Sequence, residues 1–239
     1  RSKPDFPAGT AWRYSNTGFY VAALHLEGHS KKSFGTLLHD ELLVPARLAG
    51  VKLCDAHSGP VARGYERRER QWVAAGSVFE ERGIFGDGGV CGTILELVRM
   101  PKALKTVLGD DFERLLEPTR LPDGSAVDYG LGVRLGSLRG RKMYGHTGGM
   151  GTYWSTVAYF PSEDLSIAVL VNTDGAREDA LSIFGRVATE VLELNVDRDA
   201  FERGEYPLDH SRPHSDGRCA LYYNGLFAEL GECPRRSTQ

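Results

Sequence analysis

Cysteine is scarce in this chain. Its 239 residues hold four, Cys54, Cys91, Cys219 and Cys233, with no Cys-x-x-Cys pair. That density excludes a disulfide-built scaffold, and the spacing speaks against a metal cluster or a redox dithiol. Cys54 and Cys91 are expected to be small buried hydrophobes, while Cys219 and Cys233 are free to pair if the compartment is oxidising. Long apolar runs are missing as well. Nothing approaches the roughly 18 consecutive apolar residues of a membrane-spanning helix, and no basic-then-apolar leader is read at the start. Charge of one sign is also absent: 29 Lys and Arg against 32 Asp and Glu leave a net charge of −3. Arg67, Arg68 and Arg70 alternate with Glu66 and Glu69 and read as a solvated surface. Neither nucleic acid nor an anionic membrane is an expected partner. His25 and His29 lack the His-Glu-x-x-His order of a zinc protease, and the glycines of 83–92 lack the Lys-Ser/Thr of a phosphate loop. No metal and no cofactor is expected. Met does not open the chain; Arg1 does, as in a processed, excised or incompletely read protein.

What is present is enough apolar sequence for a core: 41% hydrophobic against 26% charged residues. Residues 17–26 are apolar almost all round, which predicts a helix buried on most sides, capped by Ser15 or Asn16 and stopped by Gly28. A second helix is predicted over 33–43, closed by Pro45. Residues 51–85 read as a long polar excursion with at most short strands. Thr93 and Glu96 form a capping box for a helix over 94–104, and another helix is expected over 111–116. The period then changes. Four strands are predicted over 129–135, 141–145, 153–160 and 165–172, with separators short enough to make them antiparallel neighbours. Residues 165–171 are apolar on both faces, so helices should cover the sheet on both sides. An amphipathic helix over 179–194 supplies one cover. Residues 196–239 turn polar and read as a tail or the start of a further module.

Two short motifs stand out, Tyr14-Ser15-Asn16 at a helix start and His146-Thr147-Gly148-Gly149 at a strand end. Each alone has an ordinary structural reading, as a packed ring beside a cap and as a turn. Their succession is more specific. Residues 6–19 (FPAGTAWRYSNTGF), the glycine-dense turn before Thr93, Tyr129-Gly130-Leu131-Gly132, Tyr144 to Gly149, and Val169 to Thr173 follow one another as in the β-lactamase-related serine hydrolases. The chain resembles that family, which includes class C β-lactamases, D,D-peptidases and related esterases, over roughly residues 5–195.

The resemblance implies an α+β fold of the β-lactamase/transpeptidase type: an antiparallel sheet covered by helices on both faces, plus a helical subdomain, truncated here at the N-terminus. Residues 1–195 would form that partial domain and 196–239 the tail. It also implies acyl transfer to water on an ester, amide or peptide, so the expected partner is a small-molecule or peptide substrate. Tyr14 matches the proton-handling phenol, and Asn16 the amide that bridges substrate and a catalytic Lys. His146 stands where the family has Lys, which removes a permanent cation from that position. The Gly149 N–H matches one oxyanion donor, and Thr147 and Gly148 match the substrate-docking strand. Trp154, just beyond that strand, is a further candidate substrate contact. The family's nucleophile is a Ser-x-x-Lys on a buried helix, and no Ser in this sequence has Lys three positions later. The expectation is a serine hydrolase in a longer parent protein, with this chain inactive by itself. The alternative is a non-catalytic pseudoenzyme or peptide-binding module of the same fold.

Overall fold

The computed structural model describes residues 3–54, 61–76, 86–138, 140–174, 177–192, 211–213, 218–223 and 226–232. Helix α1 (Asn16–Ser30) begins as the sequence implies, with the Ser15 hydroxyl accepting from the Gly18 N–H at 3.0 Å. It runs past Gly28. Lys31 takes the left-handed turn instead, with φ 59°, and donates its N–H to the Glu27 carbonyl. The short helix α2 (Phe34–Leu37) widens into a π-turn over Leu38–Leu43, and the Glu27 carboxylate accepts the Phe34 N–H at 2.6 Å, tying α2 to α1.

The excursion that follows is made of short pieces. Strand β1 (Lys52–Leu53) pairs with β4 (Val90–Cys91), and β2 (Tyr65–Arg68) forms a hairpin with β3 (Gln71–Ala74). Cys54 and Cys91 are joined as a disulfide, with Cα atoms 5.4 Å apart. This corrects the expectation of two free, apolar thiols. The antiparallel β1–β4 ladder brings the two chains to bonding distance, a proximity invisible in residues 37 positions apart. Helix α3 (Ile94–Leu108) starts on the expected capping box, and Glu96 also accepts the Gly50 N–H at 2.5 Å, anchoring the turn before β1. Pro101 does not stop it, and the helix runs four residues beyond its predicted end. Helix α4 (Asp111–Leu115) and the two-residue strands β5 (Thr119–Arg120) and β6 (Ala126–Val127) lead to the main sheet.

That sheet has four antiparallel strands in the order β10 (Leu165–Val171), β9 (Tyr153–Phe160), β8 (Arg141–Met150), β7 (Arg134–Leu138). Two boundaries differ from the sequence reading. The first strand starts at Arg134 rather than at Tyr129, because Gly132, with φ +85°, turns the chain first. Strand β8 continues through Gly148 and Gly149, which pair with Ser155 and Trp154, so the connection to β9 shrinks to Gly151 and Thr152. Glycine is tolerated there because the facing side chains fill its space: a Cβ on Gly149 would lie 2.4 Å from the Trp154 ring.

Helices cover both faces of the sheet, α3 on one and α5 (Arg177–Val191) on the other. The fold is therefore α+β, as expected. The core lies under α5, where Met143, Ala158, Phe160, Ile167 and Val169 meet Ala180, Phe184 and Ala188. Full burial of each large side chain there contributes about 1.5–3 kcal/mol. A second cluster, Leu43, Leu48 and Val51, packs against Met100 and Ala103 of α3. Helix α1 departs from expectation: only Ala23 is buried, while Phe19, Tyr20, Val21, Leu24 and Leu26 are exposed. Burial all round needs neighbours all round. Among the described residues, α1 meets α2, the glycine turn, where Gly86 abuts Ala23, and the loop at Gly132, which abuts the Phe19 ring. Residues 196–239, read as a tail without a sustained period, include a three-stranded antiparallel sheet of β11 (Ser211–Pro213), β12 (Arg218–Tyr223) and β13 (Leu226–Glu232). Cys233 lies outside the described residues, and with it the question of its pairing with Cys219.

Candidate active site

Strand β8 has two unlike halves. Residues 141–145 pair with β7, and Tyr144 and Gly145 with β9 as well, whereas among the described residues 146–150 pair with β9 alone. The unpaired side of this second half leaves backbone N–H and C=O groups with no strand partner, and Gly148 and Gly149 are exposed there. His146-Thr147-Gly148-Gly149 lies on this open half.

Side chains alternate along a strand. Thr147 and Gly149 therefore share a face with Thr156 and Trp154, their register partners, and Trp154 packs against the core under α5. His146 projects from the opposite face. Trp154 lies on the face away from His146: the hairpin register sends its indole across the sheet, with Nε1 buried and without a hydrogen-bond partner.

Around His146 three further side chains converge. The Tyr14 ring lies 5.8 Å from the imidazole and 6.1 Å from the Tyr129 ring. Tyr129 is buried, stacked at 5.1 Å against Trp12, and its hydroxyl lies 3.0 Å from His146 Nε2. The other ring nitrogen, Nδ1, is 2.6 Å from the Thr147 carbonyl oxygen. A carbonyl only accepts, so Nδ1 carries the proton; Nε2 of the neutral ring then accepts from the Tyr129 hydroxyl. Arg134, the first residue of β7, sets its guanidinium 5.5 Å from the Tyr14 ring centre and 5.8 Å from that of Tyr129. Such placement over phenol faces is favourable to the cation.

The electrostatics follow from this packing. Burial holds the His146 imidazole below its ordinary pKa, and the nearby Arg134 charge adds to that against the opposing bond to Thr147. Burial pushes the Tyr129 hydroxyl up to about 12, with Tyr14 adding to the rise and Arg134 opposing it. Near neutral pH both groups are uncharged. The expected loss of a permanent cation, argued from His146 standing in place of Lys, does not leave the site without one. Arg134 supplies it.

The fold brings Tyr14 and His146 side by side. Asn16, the first residue of α1, follows Tyr14 by two positions and is exposed. Tyr129 and Arg134 were not singled out as functional by sequence. Tyr129 does open the Tyr-Gly-Leu-Gly motif, but nothing in that string says that its hydroxyl reaches a residue 17 positions away.

A family model described as Beta-lactamase matches residues 1–189. The chain belongs to the Beta-lactamase family. Among curated relatives, a D-aminopeptidase from Brucella canis is 23% identical over 189 residues, covering 73% of this chain and 34% of that protein. Among solved structures, the octameric penicillin-binding protein homologue from Pyrococcus abyssi superposes with a TM-score of 0.66 at 22% identity, covering 78% of this chain and 44% of its own. The D-amino acid amidase from Ochrobactrum anthropi SV3, solved with L-phenylalanine amide, gives a TM-score of 0.60 at 17% identity, over 77% and 58% of the two chains. These superpositions establish the penicillin-binding, Beta-lactamase-type fold. The chain spans about a third of the D-aminopeptidase it matches and under half of the Pyrococcus protein.

Proposed function

We propose that this chain carries part of the active site of a serine hydrolase that transfers an acyl group from an ester, amide or peptide to water. The observation that supports this most is the meeting of Tyr14 and His146 beside the open half of β8. In this reading the Tyr14 phenol moves the proton between nucleophile and leaving group, and the Asn16 amide holds the acyl carbonyl. The open edge of β8 takes the substrate backbone at Thr147 and Gly148, and the Gly149 N–H faces the developing oxyanion. The nucleophile, with its Lys one helical turn on, comes from polypeptide outside these 239 residues. The chain alone is inactive.

The test is labelling with a fluorophosphonate serine probe. A longer protein that contains these residues and a Ser-x-x-Lys is expected to label at that Ser; this chain is expected neither to label nor to turn over ester substrates. Labelling of the chain itself would overturn the second statement, and failure of the longer protein would overturn the first. A non-catalytic binding module is the competing reading, favoured by the engagement of both His146 ring nitrogens within the protein. Peptide binding by a longer protein with no Ser-x-x-Lys would decide for it.

A further inference from the structure

The cleft beside β8 is drawn from two parts of the fold. His146 belongs to the main sheet, on which α3 lies, whereas Tyr14 and Asn16 stand at the start of α1. Helix α1 is lightly seated, since Ala23 is its one buried residue. The glycine turn lies against that residue. A Cβ on Gly86, where φ is +80°, would stand 2.4 Å from that of Ala23 and 2.9 Å from the Phe19 carbonyl oxygen, so turn and helix touch with no room for a side chain between them. The position of α1, and with it that of Tyr14 and Asn16, therefore depends on where this turn is held.

What holds the turn is the β1–β4 stem. The Cys54 N–H donates to the Gly89 carbonyl at 2.7 Å, and Lys52 and Leu53 pair with Cys91 and Val90. A two-stranded ladder this short is marginal by itself. The Cys54–Cys91 bond closes it covalently. On its other side β1 is tied to α3: Glu96 accepts the Gly50 N–H at 2.5 Å, and Val51 packs with Leu43 and Leu48 against Met100 and Ala103. The disulfide thus stands between a base fixed on α3 and the turn that supports α1. Both cysteines are partly exposed, within reach of a small thiol.

We propose that Cys54 and Cys91 are a redox-sensitive pair of positioning residues: joined, they keep the glycine turn against α1 and so keep Tyr14 and Asn16 beside His146; reduced, they let the turn and α1 shift away from the sheet. The reductant is a dithiol. One of its thiolates attacks a cysteine sulfur, the S–S bond breaks, and a mixed disulfide forms. The second thiolate then displaces that cysteine. Cys54 and Cys91 end as thiols and the dithiol ends as a disulfide, so that the electrons and protons gained by the protein are those the dithiol gives up. The inference rests on reading Tyr14 and Asn16 as the proton-handling and carbonyl-holding groups, but it concerns their position, which needs no nucleophile.

The experiment uses the full chain labelled with ¹³C and ¹⁵N, held well below its melting temperature, with and without dithiothreitol. Signals of the folded state are read, because a bond that only stabilises changes the melting temperature without moving them. Dithiothreitol should abolish the NOE between the Ala23 methyl and Gly86. It should also move the His146 Cε1–H resonance, which senses the Tyr14 ring 5.8 Å away, toward its position in Tyr14→Leu. Phe184 and Ala188, in the core under α5, should keep their signals. Cys54→Ser combined with Cys91→Ser should give the reduced spectrum whether or not dithiothreitol is present. Gly86→Ala, whose methyl pushes the turn off Ala23 with the disulfide intact, should move His146 in the same direction. If the double Ser variant fails to fold, reduction of the wild type and Gly86→Ala decide alone. Reduction that lowers the melting temperature but leaves Ala23 and His146 in place would overturn the proposal, as would a bond that dithiothreitol does not open in the folded chain. Loss of the Phe184 and Ala188 signals together with the rest, or an unmoved His146 in Gly86→Ala, would do the same. Since serine-probe labelling tests the reaction and these spectra test positioning, either can fail without the other.

Discussion

Adding a proton to His146 costs the fold something it does not cost the unfolded chain. Folding lowers the ring's pKa from its ordinary 6.5 through burial first and the Arg134 charge after it, so between the two values the unfolded state binds more protons. Stability then rises with pH across that interval. Its contribution is complete above about pH 6.5 and is lost as pH falls toward the lowered value. Urea midpoints measured from pH 8 down to pH 5 should therefore decline, and His146→Asn should flatten that part of the decline; an unchanged slope in the variant would count against a buried neutral ring. Gly145 is a second residue-scale constraint. A Cβ there would stand 2.1 Å from the Val157 carbonyl oxygen, a backbone atom that cannot swing away. Gly145→Ala should cost about 1–3 kcal/mol by denaturant melting. His146 was legible in the sequence because a short motif marks it. Tyr129 as its partner was not, since the bond depends on how the Gly130–Gly132 loop folds back onto β8.

At the scale of elements, local chemistry was read well and long-range pairing was not. The Ser15 cap, the Thr93–Glu96 box and the β9 limits follow from neighbouring residues and stand as read. The α1 terminus does not. Gly28 has no contact that requires a glycine and keeps helical geometry, and the turn falls on Lys31. The apolar character of α1 was equally plain, but its burial depends on neighbours, which no pattern within the helix specifies. The Cys54–Cys91 link is a third case, set by the register of β1 against β4. Replacing both cysteines by Ser should lower stability by about 2–4 kcal/mol, because the 37-residue separation closes a long loop in the unfolded chain. Equal melting of oxidised and reduced protein would contradict that contribution.

The whole molecule is organised by one sheet with two employments. Its α5 face is a packed core with Phe160 and Phe184 almost entirely buried, and its other face bears His146 over an open strand edge. Phe184→Ala should cost about 3–5 kcal/mol, read by thermal or denaturant unfolding, and should leave the His146 tautomer as it is. The doubly covered character of this sheet was visible in residues 165–171, apolar on both faces, so the fold class was legible from sequence. The distribution of faces was less so: reading Gly148 and Gly149 as a separator hid the register that sends Trp154 away from His146.

The disulfide also changes what a protease can do to this molecule. Cys54 and Cys91 bracket the excursion, whose stem is pinned to the main sheet where the Tyr153 hydroxyl and the Asn172 amide donate to the carbonyls of Ala62 and Arg63. A single cut anywhere between the two cysteines yields two polypeptides but still one covalent body. The nicked protein would run as one band without reductant and as two with it, and the arrangement around His146 would outlast the break.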